Sequence, residues 1–352
     1  MRQRLNRKGP QRIDPSTIQK ILLIRLRRMG DVIMTTPAIS ALRESLPQAY
    51  IAYVVEEPYR ELVENHPSLD ETIIIPKDQS FIDFLKLIQK IRKEKLDAVI
   101  DFHGGPRASF MTLFSKAKLK VGYRIKYKNF FYHIKLTRSP KNGYIHSVEN
   151  HMNLVKALGL NITPSPSLSL PQSQKKEVEK VKKFFSENKL DRRTIIVLHI
   201  SAGNEFRNWG VNNLIELSNL FLQKKGIQII LIGSREDQGA EKEIQKRSKA
   251  SLLSLVGQLN LRELKELISY SSLFIGPDSG PMHIAAATST PIVAYFGPTL
   301  PAHFAPWKAK AIMIEKEFAC RPCKQRRCIY EDFRCLRSIK PEDIYKASLH
   351  FI

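Results

Sequence analysis

Long apolar runs are missing from this chain of 352 residues. The longest candidates, residues 21–24 and 194–200, are the size of a strand, whereas a membrane-spanning helix needs about 18 apolar residues. No G-x-G-x-x-G turn follows a predicted strand, which argues against an NAD-dependent dehydrogenase. Hydrophobic residues make up 43% of the composition, as in ordinary globular proteins. We therefore expect a folded chain that does not span a bilayer.

Cysteine is scarce, with four residues in the whole chain, all within positions 320–335. A chain of this length builds its core without disulfides, so a disulfide-stapled miniprotein is excluded. In a cytosolic protein four clustered thiols either hold a tetrahedral Zn²⁺ or stay free and reduced, and the spacing C-x2-C-x4-C-x6-C leaves both open. The four thiols belong to Cys320, Cys323, Cys328 and Cys335.

Acidic residues are outnumbered, because 34 Asp and Glu face 57 Lys and Arg and the formal net charge is +23. Such a field indicates a polyanionic partner: nucleic acid, an anionic membrane surface, a phosphorylated small molecule or an acidic glycolipid. The basic residues are dispersed and no nucleic-acid-binding module is recognisable, so nucleic acid is not an expected partner.

Residues 1–17 form a basic arm. The arm either lies on anionic lipid headgroups or is a solvated tail, and the charge run alone does not decide. No apolar segment follows it, so we expect no secretory signal and a cytoplasmic protein. The cations at its start are Arg2, Arg4, Arg7, Lys8 and Arg12.

Predicted strands and helices alternate along two stretches of the chain, which indicates two α/β domains with mostly parallel sheets. A Pro- and Ser-rich stretch at 159–173 separates them, so we predict domains at 1–165 and 166–352. Predicted strands lie at 21–26, 50–55, 72–75, 98–102, 195–200, 228–232, 252–256, 273–276 and 291–296. Predicted helices lie at 36–46, 59–65, 81–93, 211–224, 236–249, 261–270 and 281–287.

The sequence Met29-Gly30-Asp31-Val32 follows the first predicted strand and precedes a helix. Gly30 permits a tight turn and a close backbone approach. Asp31 either acts as a general base on a hydroxyl group or merely caps the helix. Ligands of parallel sheets bind beyond the carboxyl ends of strands, so this position is a candidate for catalysis.

A second candidate is Asp278-Ser279-Gly280-Pro281-Met282-His283, where a predicted strand ends and a helix begins. Free backbone N–H groups at such a helix start, next to a glycine, suit a diphosphate. His283 lies in the first turn, where its ring either reaches the same anion or is structural. A third candidate is Arg207, whose forked cation fits two phosphate oxygens; alone it is one basic loop residue among many.

Together these motifs resemble the family 9 glycosyltransferases, the ADP-heptose:lipopolysaccharide heptosyltransferases. The resemblance spans about residues 20 to 340 and is carried by residues 21–38, 198–209 and 276–299 in the family's order. The cysteine stretch at 320–335 is similar to one in heptosyltransferase II-type members. The resemblance implies a GT-B fold, in which two Rossmann-like parallel-sheet domains face an interdomain cleft. It assigns the acceptor to the N-terminal domain and the nucleotide sugar to the C-terminal domain.

The resemblance also implies an inverting transfer of heptose from ADP-heptose to a lipopolysaccharide inner-core acceptor. Asp31 would be the general base, with Gly30 in the loop on the acceptor side. Arg207 replaces a family lysine that stabilises the leaving phosphate. Ser279, Gly280 and His283 would hold the diphosphate, Asp278 would order that loop, and either Glu236 or Asp237 would lie near the donor ribose.

The implied partners are an ADP-sugar donor, an anionic glycolipid acceptor and, by peripheral contact, the cytoplasmic face of the inner membrane. No cofactor is required by this chemistry, and a structural Zn²⁺ at the cysteines stays open. An alternative is another GT-B glycosyltransferase, or an epimerase, that uses a different nucleotide sugar. Candidate cations for the acceptor are Arg107, Lys116, Lys118, Arg124, Lys126 and Lys128.

Overall fold

A computed structural model describes residues 14–125, 129–138, 143–162, 165–191 and 193–352. The described chain forms two compact units: residues up to 27 with 35–166, and residues 28–34 with 167–352. The segment 28–34, which contains helix α1 (Met29–Ile33), thus groups with the second unit. The basic cations of residues 1–13, Lys126 and Lys128 lie outside the described residues.

The first unit is built on a six-stranded parallel sheet of order β3-β2-β1-β4-β5-β6. In its centre Ile21 of β1 pairs with Ile51 of β2 on one side and Ala98 of β4 on the other. The strands are β1 (Lys20–Ile24), β2 (Tyr50–Glu56), β3 (Glu71–Ile75), β4 (Ala98–Asp101), β5 (Leu119–Tyr123) and β6 (Ile134–Leu136). The helices are α2 (Thr36–Ser45), α3 (Phe81–Lys93), α4 (Pro106–Phe114) and α5 (Ser147–Lys156).

Local sequence explains these elements. The central strand β1 is buried over residues 21–24 and is wholly apolar there, as expected for a parallel strand covered on both faces. Helix α3 begins because the Ser80 side chain accepts a hydrogen bond from Asp83 N, 3.1 Å away. Its apolar residues Leu87, Ile88 and Ile91 recur at helical spacing and are buried against the core.

The second unit repeats the plan, with a parallel sheet of order β12-β11-β10-β7-β8-β9. The strands are β7 (Thr194–His199), β8 (Ile227–Ile232), β9 (Leu252–Ser254), β10 (Leu273–Pro277), β11 (Ile292–Phe296) and β12 (Ala311–Glu315). The helices are α6 (Lys175–Glu187), α7 (Val211–Leu220), α8 (Gln238–Arg247), α9 (Leu261–Ser269), α10 (Gly280–Ala287), α11 (Pro301–Phe304), α12 (Arg334–Arg337) and α13 (Pro341–Ser348).

Trp209 anchors this unit behind the loop that carries Arg207. Its indole is buried, lies 4.9 Å from the Tyr295 ring between centroids, and donates to the carbonyl of Ile339 at 2.8 Å. A buried indole with its N–H satisfied is a rigid support, so the preceding loop starts from a fixed point.

The sequence predicted most strands of both sheets within a residue or two, while β5, β6 and β12 were not predicted. Two predictions were wrong in kind. The expected helix at 59–65 is a 3₁₀ turn over Glu57–Leu62, and residues 29–33, expected as a turn, form helix α1. Among the described residues no helix is both long and apolar enough to cross a membrane.

Candidate active site

The N-terminus of helix α10 has no side-chain cap. Ser279 is the residue before the helix, but its side chain makes no capping hydrogen bond. Instead Ser279 Oγ lies 3.1 Å from Nδ1 of His199, at the end of the neighbouring strand β7. The first N–H groups of a helix have no partner within the helix, and the Ser279 side chain does not cap those of α10. Such a helix start is suited to an anion.

Helix α1 packs closely against α10. A Cβ on Gly30 would come within 2.8 Å of Cδ2 and 3.3 Å of Nε2 of His283, and a Cβ on Gly280 would overlap the side chain of Met29. A side chain at either glycine would therefore force His283 or Met29 to shift. The contact brings the first turn of α1, which contains Asp31, to the start of α10.

Asp278 is the buried charge at this point, with 4% of its surface exposed. Burial raises the pKa of its carboxyl, the Arg207 guanidinium and a 2.6 Å hydrogen bond from Thr299 lower it, and the nearby Asp31 carboxylate raises it again. The Asp31 carboxylate is therefore close enough to influence Asp278. Asp278 contacts both Arg207 and Thr299, and its role in ordering the loop stays a prediction.

Arg207 is fixed on two sides. Its Nη1 lies 3.1 Å from the carbonyl oxygen and 3.3 Å from Oδ2 of Asp278, and its Nε donates to Oε1 of Gln325 at 3.0 Å. The side chain is 21% exposed, so part of the guanidinium remains accessible. An arginine held in this way offers a preorganised positive charge at the start of α10.

Gln325 lies in the cysteine-rich segment and was not predicted. Its Oε1 accepts from Asn204 as well as Arg207, and its backbone N–H donates to Sγ of Cys323 at 3.3 Å. The segment is itself tied down, because Cys323 N donates to the carbonyl of Pro298 and Arg321 donates to that of Thr299. The cysteine-rich segment therefore fixes the loop that carries Arg207 through Gln325.

The thiols themselves are half-buried. Three backbone N–H groups lower the pKa of Cys328 despite opposing desolvation, whereas burial and the other three thiols raise the pKa of Cys335. Over the parts of the chain that the structure covers, no three His, Cys, Asp or Glu side chains are grouped as metal ligands. The two alternatives for Cys320, Cys323, Cys328 and Cys335, a structural Zn²⁺ and free reduced thiols, both stay predictions.

The two acidic candidates after β8 differ. Asp237 turns inward: its Oδ2 accepts from Ser234 N at 2.7 Å, and a Cβ on Gly233 would lie 2.9 Å from this oxygen. Its charge also reaches His199. Glu236 is exposed, and hydrogen bonds with its own backbone N–H and with Ser234 lower the pKa of its carboxyl. Asp237 differs from Glu236 in its partial burial and in its charge contact with His199, and the assignment of either residue to the donor ribose stays a prediction.

His199 is a further site residue to which the sequence assigned no role. Burial lowers its pKa to about 4, so the ring is neutral at pH 7 and forms its hydrogen bond to Ser279 in that form. The sequence feature that could have identified His199 is its position at the end of a predicted buried strand. The neutral ring orients the Ser279 hydroxyl at the start of α10.

The structure describes four of the six cations proposed for the acceptor. Arg107 pairs with the buried Glu56 at 3.1 Å, and Lys118 pairs with Asp97 at 2.7 Å, so both have structural partners. Lys116 and Arg124 are exposed. Arg138 was not among the predicted cations. Its guanidinium carbon lies 4.2 Å from the Tyr123 ring centroid, and it donates to the carbonyl of His103.

Tyr123 also borders a cavity of about 400 Å³ in the first unit. The cavity combines an aromatic ring with amide and ammonium groups, a mixture suited to a polar ligand. Its lining consists of Tyr123, Leu136, Thr137, Asn150, Asn153, Lys156 and Ala157.

A parallel sheet that ends at an open, glycine-started helix with a fixed arginine beside it is typical of proteins that bind nucleoside diphosphates. The model of glycosyltransferase family 9 (heptosyltransferase) matches residues 84–333. The chain therefore belongs to this family, and the glycosyltransferase class expected from the sequence is confirmed.

Relatives agree with this assignment. Lipooligosaccharide heptosyltransferase 2 of Haemophilus ducreyi is 25% identical over 84% of this chain and 88% of its own length. Lipopolysaccharide heptosyltransferase 3 of Escherichia coli is 26% identical over 82% of this chain and 86% of its own.

Solved structures share the fold. A family 9 glycosyl transferase from Veillonella parvula has a TM-score of 0.87 at 24% identity and covers 97% of this chain and 99% of its own. ADP-heptose LPS heptosyltransferase II of Escherichia coli has a TM-score of 0.79 at 22% identity, with coverage of 95% and 98%. The expected α/β fold class, GT-B with two Rossmann-like parallel-sheet units, is confirmed.

Proposed function

We propose that the protein transfers heptose from ADP-heptose to an inner-core sugar of lipopolysaccharide, with inversion at the anomeric carbon. The proposal is supported by family membership and by the names of its relatives, which include lipopolysaccharide and ADP-heptose heptosyltransferases. The observation that carries it is the Arg207 guanidinium, held by Asp278 and Gln325 beside the open start of α10.

In this proposal the donor diphosphate binds at the first N–H groups of α10, with Ser279, Gly280 and His283 around it. The bond between the anomeric carbon and the phosphate oxygen breaks, and negative charge accumulates on the departing ADP. Arg207 and the fixed N–H dipoles stabilise that charge more in the transition state than in the ground state. Asp237 follows β8, the strand next to β7, and in this proposal it is the partner of the donor ribose.

Asp31 acts as the general base on the acceptor. The hydroxyl oxygen of the acceptor attacks the anomeric carbon while its proton passes to the Asp31 carboxylate. Attack from the face opposite the leaving phosphate inverts the configuration. The packing of α1 on α10 supports this role, since it brings Asp31 to the helix start at which the diphosphate binds.

A direct test measures ADP release from ADP-heptose in the presence of heptose-deficient lipopolysaccharide, with UDP- and GDP-sugars as competing donors. We expect turnover with ADP-heptose alone, and an inverted anomeric configuration in the product by NMR. Turnover of a UDP-sugar and none of ADP-heptose would keep the family and fold but refute the proposed donor. A lipid-linked acceptor also implies that the enzyme works at the cytoplasmic surface of the inner membrane.

A further inference from the structure

Large apolar side chains are exposed on one part of the first unit. Of the thirteen that are exposed over the described ranges, six lie on α3, α4 and the 3₁₀ turn Asn129–Phe131. Isolated exposed apolar residues are ordinary, but a group of this size marks an interaction site. The six, with their exposed fractions, are Phe81 (73%), Ile82 (65%), Leu85 (44%), Phe110 (43%), Phe114 (42%) and Phe130 (73%); we call them the aromatic surface.

Contacts join these elements. The rings of Phe110 and Phe114 stack at 6.1 Å, Phe110 lies 5.7 Å from Phe131, and Phe131 lies 4.2 Å from Phe130, all between centroids. Helix α3 packs against α4, and Arg107 in the first turn of α4 donates to the carbonyls of Pro76 and Lys77, just before α3. The segment that leads into α3 therefore lies next to the start of α4.

The apolar stripe of α3 extends beyond the core. Leu87, Ile88 and Ile91 are buried in the second half of the helix, whereas Phe81, Ile82 and Leu85 are exposed in its first half. Phe81 and Leu85 precede Ile88 by seven and three positions, so all three share one helix face. The apolar face of α3 therefore continues from the core to the protein surface.

Cations border the aromatic surface. Lys120 donates from Nζ to the carbonyl of Leu113, which places its ammonium group at the end of α4 beside Phe114. Lys116 is exposed two residues after Phe114, and both Lys120 and Lys135 act electrostatically on His133. Exposed rings beside lysines match an anionic bilayer, in which rings enter the headgroup boundary and ammonium groups meet phosphates.

We infer that the aromatic surface docks the protein on an anionic phospholipid bilayer. This inference rests on the proposed function, because a lipid-linked acceptor places the enzyme at a membrane. A second copy of the chain is disfavoured as the occupant, since a two-fold contact through this surface would bring the lysines of both copies together in a protein of net charge +23.

The test is cosedimentation with vesicles of phosphatidylglycerol and phosphatidylethanolamine, and with vesicles of phosphatidylcholine alone. We expect binding to the anionic vesicles that weakens with salt, and weaker binding to the neutral ones. The double variant Phe81→Ser/Phe130→Ser should bind the anionic vesicles at least about tenfold more weakly than the wild type, because two inserted rings are lost. Both side chains are largely exposed, so the variant should retain its melting temperature.

A matched control is Leu222→Ser/Ile329→Ser, which removes two exposed apolar side chains of the second unit. The role of charge is tested by Lys116→Glu, which should weaken binding to the anionic vesicles about tenfold. Its control is Lys182→Glu, at an exposed lysine of α6, which should have a smaller effect. Equal binding by wild type and the aromatic double variant would overturn the inference, as would equal binding to both kinds of vesicle.

These vesicles contain no acceptor or donor, so the outcome is independent of catalysis. Transfer to a delipidated acceptor without vesicle binding would overturn the proposed role of the aromatic surface and leave the proposed function intact. Vesicle binding without any transfer would refute the function alone. Sedimentation velocity completes the test, because a dimer that Phe81→Ser/Phe130→Ser dissociates would identify this surface as a self-association interface instead.

Discussion

Oε1 of Gln325 accepts a hydrogen bond from Nε of Arg207 at 3.0 Å, and so connects the cysteine-rich segment to the cation proposed to stabilise the leaving ADP. The same oxygen accepts from Asn204 Nδ2 at 2.9 Å, so one amide fixes two residues of the loop after β7. Arg207 therefore depends on a residue 118 positions away in sequence for its orientation.

Replacement of Gln325 tests this dependence. In Gln325→Ala the Nε hydrogen bond is lost while Asp278 still holds Nη1, so we expect kcat to fall about tenfold with a smaller change in the KM of the donor. Steady-state kinetics with ADP-heptose measure both constants. Gln223→Ala, at an exposed glutamine of the same unit, is the control. An unchanged kcat would show that Asp278 alone orients Arg207.

Asp31→Asn tests the general base. The amide retains the size of the side chain but cannot accept the acceptor proton at neutral pH, so kcat should fall about 100-fold or more with little change in donor KM. The melting temperature, measured alongside, separates loss of the base from loss of the helix α1 contact. Turnover equal to that of the wild type would mean that Asp31 has only a structural role.

The substitution Gly30→Ala, which adds a single methyl group, tests the contact between α1 and α10. A Cβ at position 30 would lie 2.8 Å from Cδ2 of His283, so Gly30→Ala should displace α1 or the ring and reduce kcat more than about tenfold. Gly239→Ala is the matched control, because nothing lies within 4 Å of its Cβ and its helical position favours alanine by about 1 kcal/mol. Similar kinetics for both variants would contradict the importance of this contact.

The sequence allowed much of this site to be predicted, because its parts are local. Asp278, Ser279 and Gly280 follow a buried apolar strand and open a helix, and each of these features is visible within ten residues. Gln325 could not be predicted from the sequence, since its role depends on a contact made only after the cysteine-rich segment folds against the second sheet. Helix α1 was missed for a similar reason: five residues form no stable helix alone, and this one packs on α10.

His199 gives the second unit a defined pH dependence. Its pKa falls from 6.5 to about 4 on folding because the ring is buried, so below pH 6.5 the unfolded chain binds a proton that the folded one does not. Stability attributable to this ring is therefore complete above pH 6.5 and declines as the pH falls toward 4, by about 3 kcal/mol at most. Thermal unfolding across this range should show a smaller decline in His199→Asn than in the wild type.

His350→Asn is the control for that experiment, because His350 is exposed and its replacement should leave the pH profile unchanged. The same variants distinguish a functional from a purely structural role of His199. If its neutral ring orients Ser279 for the diphosphate, His199→Asn should also reduce the increase in melting temperature produced by ADP, because bound ligand stabilises only the native state. A full ADP response in His199→Asn, with the flatter pH profile, would restrict the ring to a structural role.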